Sequence, residues 1–149
     1  MSAVQALWDS YCTASGHSGP LPDVDWFGDT PALADELLTL VMNGTKRATC
    51  CLARDFSTET RPKPGDHWMI TNGKHEPVCI IKTTQVDLVR ICDVTAEFAE
   101  IEGEGDKSLA YWKREHDAYY ARQAAREGFV YDDKMIGICE QFEKVWPRD

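Results

Sequence analysis

The sequence predicts an α+β fold: a small, mostly antiparallel β-barrel with flanking helices. Three observations carry this expectation. Helical stripes and strand-like runs follow one another without the regular alternation of a parallel βαβ sheet. Asn72-Gly73 sits between two strand-like runs and is a hairpin signal. "PVCIIKTTQVDL" (Pro77–Leu88) is a long β-branched run, suited to a strand. The 149 residues fit one domain, residues 1–149.

Val4, Leu7, Trp8 and Tyr11 recur at helical spacing, so an N-terminal helix runs from Ala3 to residue 13 or 15. "SGHSGPLP" (Ser15–Pro22) breaks it and makes residues 16–24 a linker, short enough for the helix to pack on the main body. A second helix starts at Thr30-Pro31, where Thr30 caps it and Pro31 takes the first helical position. Leu33, Leu37, Leu40 and Val41 form its stripe, and Gly44 suits the left-handed turn that ends it. Ala48–Ala53 reads as a short strand, Lys63–Asp66 as a turn and His67–Thr71 as a strand. The long strand extends to Ile91, and Asp93–Glu100 makes a short helix. Ser108 caps a long helix that ends at Gly128. Met135–Val145 is the last strand, with Ile136, Ile138 and Phe142 as core residues.

A net charge of −9 disfavours long nucleic acid as a partner, because phosphate backbones are bound by lysine and arginine. A local basic pocket remains compatible with it. None of the six cysteines forms a CxxC pair, and Cys50 and Cys51 are adjacent. They read as reduced, buried thiols of a cytoplasmic protein. No signal peptide opens the chain and no apolar run is long enough to cross a bilayer, so no membrane partner is expected.

"NGTKRATC" (Asn43–Cys50) carries the first chemical question: Lys46 and Thr49 stand three apart after a glycine. Strand alternation would put them on opposite faces. They converge only if Lys46 lies in the turn before the pleat, or if a bulge intervenes. A lysine after a helix end also suits the helix dipole, and threonine suits strands, so the residues alone leave both readings open. His17, His67, His75 and His116 are scattered without metal-ligand spacing. The carboxylates of "EIEGEGD" offer Mg²⁺ or Mn²⁺ ligands, but a solvated acidic loop accounts for them more simply. No metal and no cofactor are expected.

Four segments together resemble the ASCH family, whose barrel is similar to the PUA fold. "LLTLVMNGTKRATCCL" (Leu37–Leu52) resembles its helix, G-x-K-x-x-T turn and strand. "PKPGDHWMI" (Pro62–Ile70) resembles its Pro-x-x-Gly-Asp strand start, and "EPVCIIKTTQVDLV" (Glu76–Val89) its central strand. "EFAEIEGEGDKSLAYWKREHDAYY" (Glu97–Tyr120) is similar to the acidic segment and long helix of a larger bacterial subgroup. The resemblance implies a PUA-like barrel. It also implies an activity of small bacterial members, hydrolysis of N4-acetylcytidine to cytidine and acetate by a Lys, a Thr and a Glu. Carried over, these are Lys46, Thr49 and the second acid of Ala99-Glu100-Ile101-Glu102, Glu102, with Glu100 as the fallback. Other members imply two alternatives, a metal-dependent ribonuclease or a non-catalytic RNA-binding or coactivator module. The extra N-terminal helix and "GEGDKSLAYW" depart from the small hydrolases and bear on pocket size.

Two mechanisms fit these residues. In one, burial or the neighbouring Arg47 lowers the pKa of Lys46, which takes the proton of a nucleophilic Thr49, while Glu102 orients Lys46 or shuttles the proton. In the other, Glu102 activates a water and Lys46 and Thr49 bind the oxyanion. Arg47, Arg54, Trp26, Phe27, Trp112 and Tyr120 are the expected substrate-binding residues. The aromatic ones offer stacking walls for a pyrimidine, with packing on the barrel as the alternative for each of them. The expected partner is a small-molecule nucleoside.

Overall fold

A computed structural model describes residues 1–148. Its helices are α1 (Ala3–Ser15), α2 (Pro31–Met42), α3 (Ala96–Glu102) and α4 (Leu109–Glu127). Its strands are β1 (Asp23–Asp25), β2 (Ala48–Leu52), β3 (His67–Thr71), β4 (Pro77–Arg90) and β5 (Ile136–Trp146). They form one sheet in the order β1-β3-β4-β5-β2, curled into a half-barrel. All pairings are antiparallel except β1 with β3.

β4 is the spine, pairing with β3 on one side and with β5 on the other. Its pairing with β5 shifts register between Ile80 and Ile81 and between Thr83 and Gln85. Such irregularities bend a strand and increase its twist, which suits a curled sheet. α2 and α4 start where the sequence predicts, whereas α3 starts at Ala96 rather than Asp93, after a 3-10 turn over Ile91–Asp93, and runs to Glu102 rather than Glu100. Thr30 accepts from the Leu33 amide at 3.1 Å and Ser108 from the Tyr111 amide at 3.0 Å. Thr95 caps α3 by accepting from the Phe98 amide at 3.1 Å.

Each helix buries one face on the sheet. Trp8 and Tyr11 of α1 pack against Met69 and Ile80, so the N-terminal helix does join the main body. Leu38 and Val41 of α2 meet Ile70, Cys79, Ile81 and Phe142. Phe98 of α3 and Trp112 and Tyr120 of α4 cover Ala48, Cys50 and Leu52.

Four expectations are corrected. The linker contains β1, a three-residue strand whose exposed "DVD" carries no periodic signal. Asn72-Gly73 is not a two-residue hairpin turn. The Asn72 side chain accepts from the amides of Lys74 (2.9 Å) and Glu76 (3.0 Å), which widens the loop, and His75 takes the left-handed conformation at φ 63°. Gly73 is needed for close approach instead, since a Cβ there would collide with the Pro31 carbonyl. Ile136 is 42% exposed: it opens β5 opposite exposed Arg90, beyond the end of β2, whose Leu52 pairs with Gly137. Of the cysteines, Cys50, Cys79 and Cys139 are buried, Cys12 and Cys51 are half-buried and Cys92 is exposed.

One clamp joins the acidic segment to the turn before β2. The Arg47 amide donates to the Ile101 carbonyl at 3.0 Å, and Gly103, at φ 75°, lies directly against the Thr45 carbonyl. A Cβ on Gly103 would collide with that oxygen while the backbone stayed left-handed. Gly103→Ala should therefore cost about 1–3 kcal/mol, read as a lower denaturation midpoint. An unchanged midpoint would show that the two segments are not clamped there.

Candidate active site

The turn after α2 brings Lys46 and Thr49 to one cavity. α2 ends at Met42, Gly44 turns the chain at φ 83°, and β2 begins only at Ala48. Lys46 therefore precedes the pleat, and its side chain runs inward until only 1% of it is exposed. Within β2, alternation buries Ala48, Cys50 and Leu52 and leaves Thr49 and Cys51 half-buried on the other face. Lys46 and Thr49 both line a cavity of about 370 Å³ bounded by α2, α4 and the sheet.

The Lys46 ammonium has three N–H donors, and all three are used. They go to the Ala48 carbonyl (2.6 Å), Glu104 Oε2 (3.0 Å) and Glu102 Oε2 (3.2 Å). Burial opposes the charge, but the two carboxylates outweigh it and push the lysine's pKa up. Lys46 is a held ammonium rather than a neutral amine. This removes the resting-state base of the first mechanism, and Arg47 does not restore it. Arg47 faces solvent outside the cavity, with its backbone in the sheet and clamp bonds.

Helix periodicity decides between the two acids of "AEIE". Phe98, Ala99 and Glu102 share the buried face of α3, and Glu100 is exposed. Glu102 is held by three donors. Its Oε1 accepts from Trp112 Nε1 at 2.6 Å, and its Oε2 accepts from His116 Nε2 at 3.1 Å as well as from Lys46. Burial opposes its charge, yet Lys46 and His116 hold its carboxyl far below the usual range. Burial likewise opposes charge on His116, and contact with Glu102 reverses this, lifting the imidazole to about 9. A protonated His116 also donates through Nδ1 to the Trp112 carbonyl at 2.8 Å. Its ring stacks on Trp112 at 3.9 Å.

Three groups escaped sequence reasoning. Glu104 follows Gly103 outside the helix, 17% exposed and lining the cavity. Burial and the neighbouring Glu102 charge raise its carboxyl to about 7 despite Lys46. Glu140 of β5 pairs with Thr49 across the strands and accepts from the Thr83 hydroxyl, and burial raises its pKa. His116 stood among four scattered histidines, and nothing in its spacing pointed to Glu102. Only the packing of α3 against α4 joins them.

Glu102, Glu104 and His116 bring one possible metal ligand each within 4.8 Å of the others. Lys46 Nζ already bonds both carboxylates, and His116 is held protonated. The chain's own ammonium thus takes a divalent cation's place, and the donor set does not fit a metal without expelling it.

The expected binding residues divide. Trp26, Phe27 and Tyr120 line the cavity, Trp26 stacked on His75 and Phe27 on Phe142. Tyr120 also donates to the Cys50 carbonyl at 2.8 Å. Trp112 lies behind the site as a holder of Glu102 and not on the cavity wall. Arg54 is outside too, bonded to Glu127 at 3.2 Å and stacked over Phe129. Cys51 lines the cavity, but burial pushes its thiol up, so it is not a thiolate nucleophile.

The chain belongs to the ASCH domain family: a family model of that description matches residues 23–146. The half-barrel is accordingly a PUA-like fold. An ASCH domain from Lactobacillus crispatus JV V101 is 28% identical, with a TM-score of 0.85 over 96% of this chain and 94% of its own. A protein from Enterococcus faecalis V583 is 30% identical, with a TM-score of 0.88 over 95% of this chain and 87% of its own. Among curated proteins no match was found. No helix among the described residues is long and apolar enough to cross a membrane.

Two outcomes test this electrostatic arrangement. Trp112→Phe keeps the ring and removes the donor to Glu102, so it should cost about 1.5–3 kcal/mol in denaturant unfolding. An unchanged stability would mean that the hydrogen bond is not needed. The His116 pKa is raised from 6.5 to about 9, so its stabilising contribution is full below 6.5 and is lost as pH rises through about 9. His116→Gln should flatten that part of the stability–pH curve, and a slope equally steep in the variant would contradict the assignment.

Proposed function

We propose that the protein is an amidohydrolase that removes the acyl group from N4-acetylcytidine or related N4-acylated cytosine nucleosides, giving cytidine and a carboxylate. The carrying observation is a single cavity lined by Lys46, Thr49, Glu102 and Glu104, with Trp26 and Phe27 as aromatic walls. Its size falls in the range of small-molecule sites. Amide hydrolysis needs an activated hydroxyl, a cation or donors for the oxyanion, and a proton for the departing nitrogen. Lys46 supplies the cation and Thr49 a hydroxyl. A charged Lys46 favours the version in which lysine and threonine hold the carbonyl oxygen and a carboxylate activates the attacking group.

The charge of the cavity supports an uncharged substrate. The lining residues Asp25, Glu36, Asp55 and Glu115 are exposed carboxylates, and the lining Arg122 is tied to Asp29 at 2.8 Å. A phosphate would meet this acidic surface with little free basic charge to offset it. That argues against the ribonuclease and RNA-binding alternatives, and the ammonium between Glu102 and Glu104 argues further against the metal-dependent one. The proposed setting is cytoplasmic, where the thiols stay reduced.

Incubation with N4-acetylcytidine should release cytidine and acetate, with EDTA making no difference. Lys46→Ala should lower kcat/KM by about 10²–10³, the loss typical of an oxyanion donor. No cytidine from the wild type would sink the reading. Cleavage of a short RNA that EDTA abolishes and Mn²⁺ restores would replace it with the ribonuclease.

A further inference from the structure

Their hydrogen bonds separate the two acids beside Lys46. Glu102 is 2% exposed and receives three hydrogen bonds, one on Oε1 and two on Oε2, all from side chains fixed in the core. Three of its roughly four acceptor sites are taken, so a proton bound there would have to share the carboxylate that holds Lys46, Trp112 and His116. Glu104 receives one N–H hydrogen bond among the described residues, from Lys46; its carboxyl also meets that of Glu102, and it reaches the cavity. It stands on the turn between Gly103 and Gly105, past the end of α3, where its carboxyl can move without disturbing the helix.

Hydrogen bonds constrain Lys46 as well. Its three N–H bonds go to Ala48, Glu102 and Glu104, so none is free for a developing oxyanion. Ala48 is in the sheet and Glu102 is locked. Glu104 is the partner that can release.

We propose that Glu104, not Glu102, carries the proton in this site, and that taking it up frees one N–H of Lys46 for the substrate's carbonyl oxygen. This rests on the amidohydrolase reading. In the addition step the attacking hydroxyl, of water or of Thr49, forms the new C–O bond and gives its proton to the Glu104 carboxylate. The neutral acid holds the ammonium less strongly, and the released N–H turns to the oxyanion. In the collapse step the C–N4 bond breaks and Glu104 returns the proton to N4, so the amine leaves neutral. Carboxylate and ammonium are restored. Attack by Thr49 adds a second cycle in which water cleaves the ester by the same proton route. Nothing is oxidised or reduced. Glu102, His116 and Trp112 position Lys46 and keep it charged.

The groups facing Glu104 are Lys46 from the turn after α2, Glu102 from α3, and His116 and Tyr111 from α4, with Glu36 and Glu115 beside Tyr111. Together they leave its carboxyl at about 7, where it can both accept and return a proton near neutrality.

The test compares the wild type with Glu104→Gln and Glu104→Asp on N4-acetylcytidine and on p-nitrophenyl acetate, whose phenolate leaves without a proton. Each variant's folding is checked by its thermal midpoint. The wild-type kcat/KM should fall on an acid limb near 7. Glu104→Gln should lose that limb and about 10²–10⁴ of kcat on the amide, with KM little changed. The loss on the ester should be smaller by about tenfold or more. Glu104→Asp should keep the limb at a reduced rate. A folded Glu104→Gln within about threefold of the wild type, or one that loses both substrates equally, overturns the role of Glu104 alone. A wild type that releases no cytidine overturns the reaction and this role with it.

Discussion

The site depends on one buried cation. A lysine side chain enters the interior from a turn and is neutralised by acids from a different part of the chain. An unpaired ammonium there would be strongly destabilising, so the fold must deliver partners. α3 supplies Glu102, the turn after it supplies Glu104, and β2 supplies the Ala48 carbonyl. α4 then supplies Trp112 and His116 to hold Glu102. The Gly103–Thr45 contact has the same purpose at the backbone level, fixing the acidic segment against the turn that carries Lys46. Fold and site are therefore not separable layers here.

The arrangement also divides the labour of two carboxylates. One is held by three donors and keeps the lysine charged. The other is loosely held, partly wet and lifted by its neighbour's negative charge. Two close acids pushed apart in proton affinity are a recurrent way to obtain both a permanent charge and a proton carrier at neutral pH. In the proposed reaction both effects act through the same ammonium, which would couple proton uptake and oxyanion binding through one nitrogen.

Much of this was legible in the sequence. The caps at Thr30 and Ser108, the glycine stops and the β-branched run of β4 are local signals, and the elements formed where they point. Gly44 allowed Lys46 to precede the pleat, and the structure is what puts it in one cavity with Thr49. The failures share a cause, since each depends on what packs against the residue. The exposed β1 is a strand only because β3 lies beside it. Gly73 is a glycine because Pro31 is close, not because a hairpin turn demands it. Trp112 looked like a stacking surface, but the α3–α4 contact aims its N–H at Glu102. Arg47 and Arg54 looked like substrate ligands, yet one faces solvent and the other is held by Glu127. Glu104 could be read only as one acid in an acidic run until Lys46 was found beside it.

The charge state of Lys46 is the point on which the account turns, and the ¹⁵N resonance of its Nζ reports it directly. The account predicts an ammonium signal that persists from neutral pH up to and beyond the ordinary lysine value of 10.5. A neutral amine near pH 7 would contradict it and return Lys46 to the role of general base.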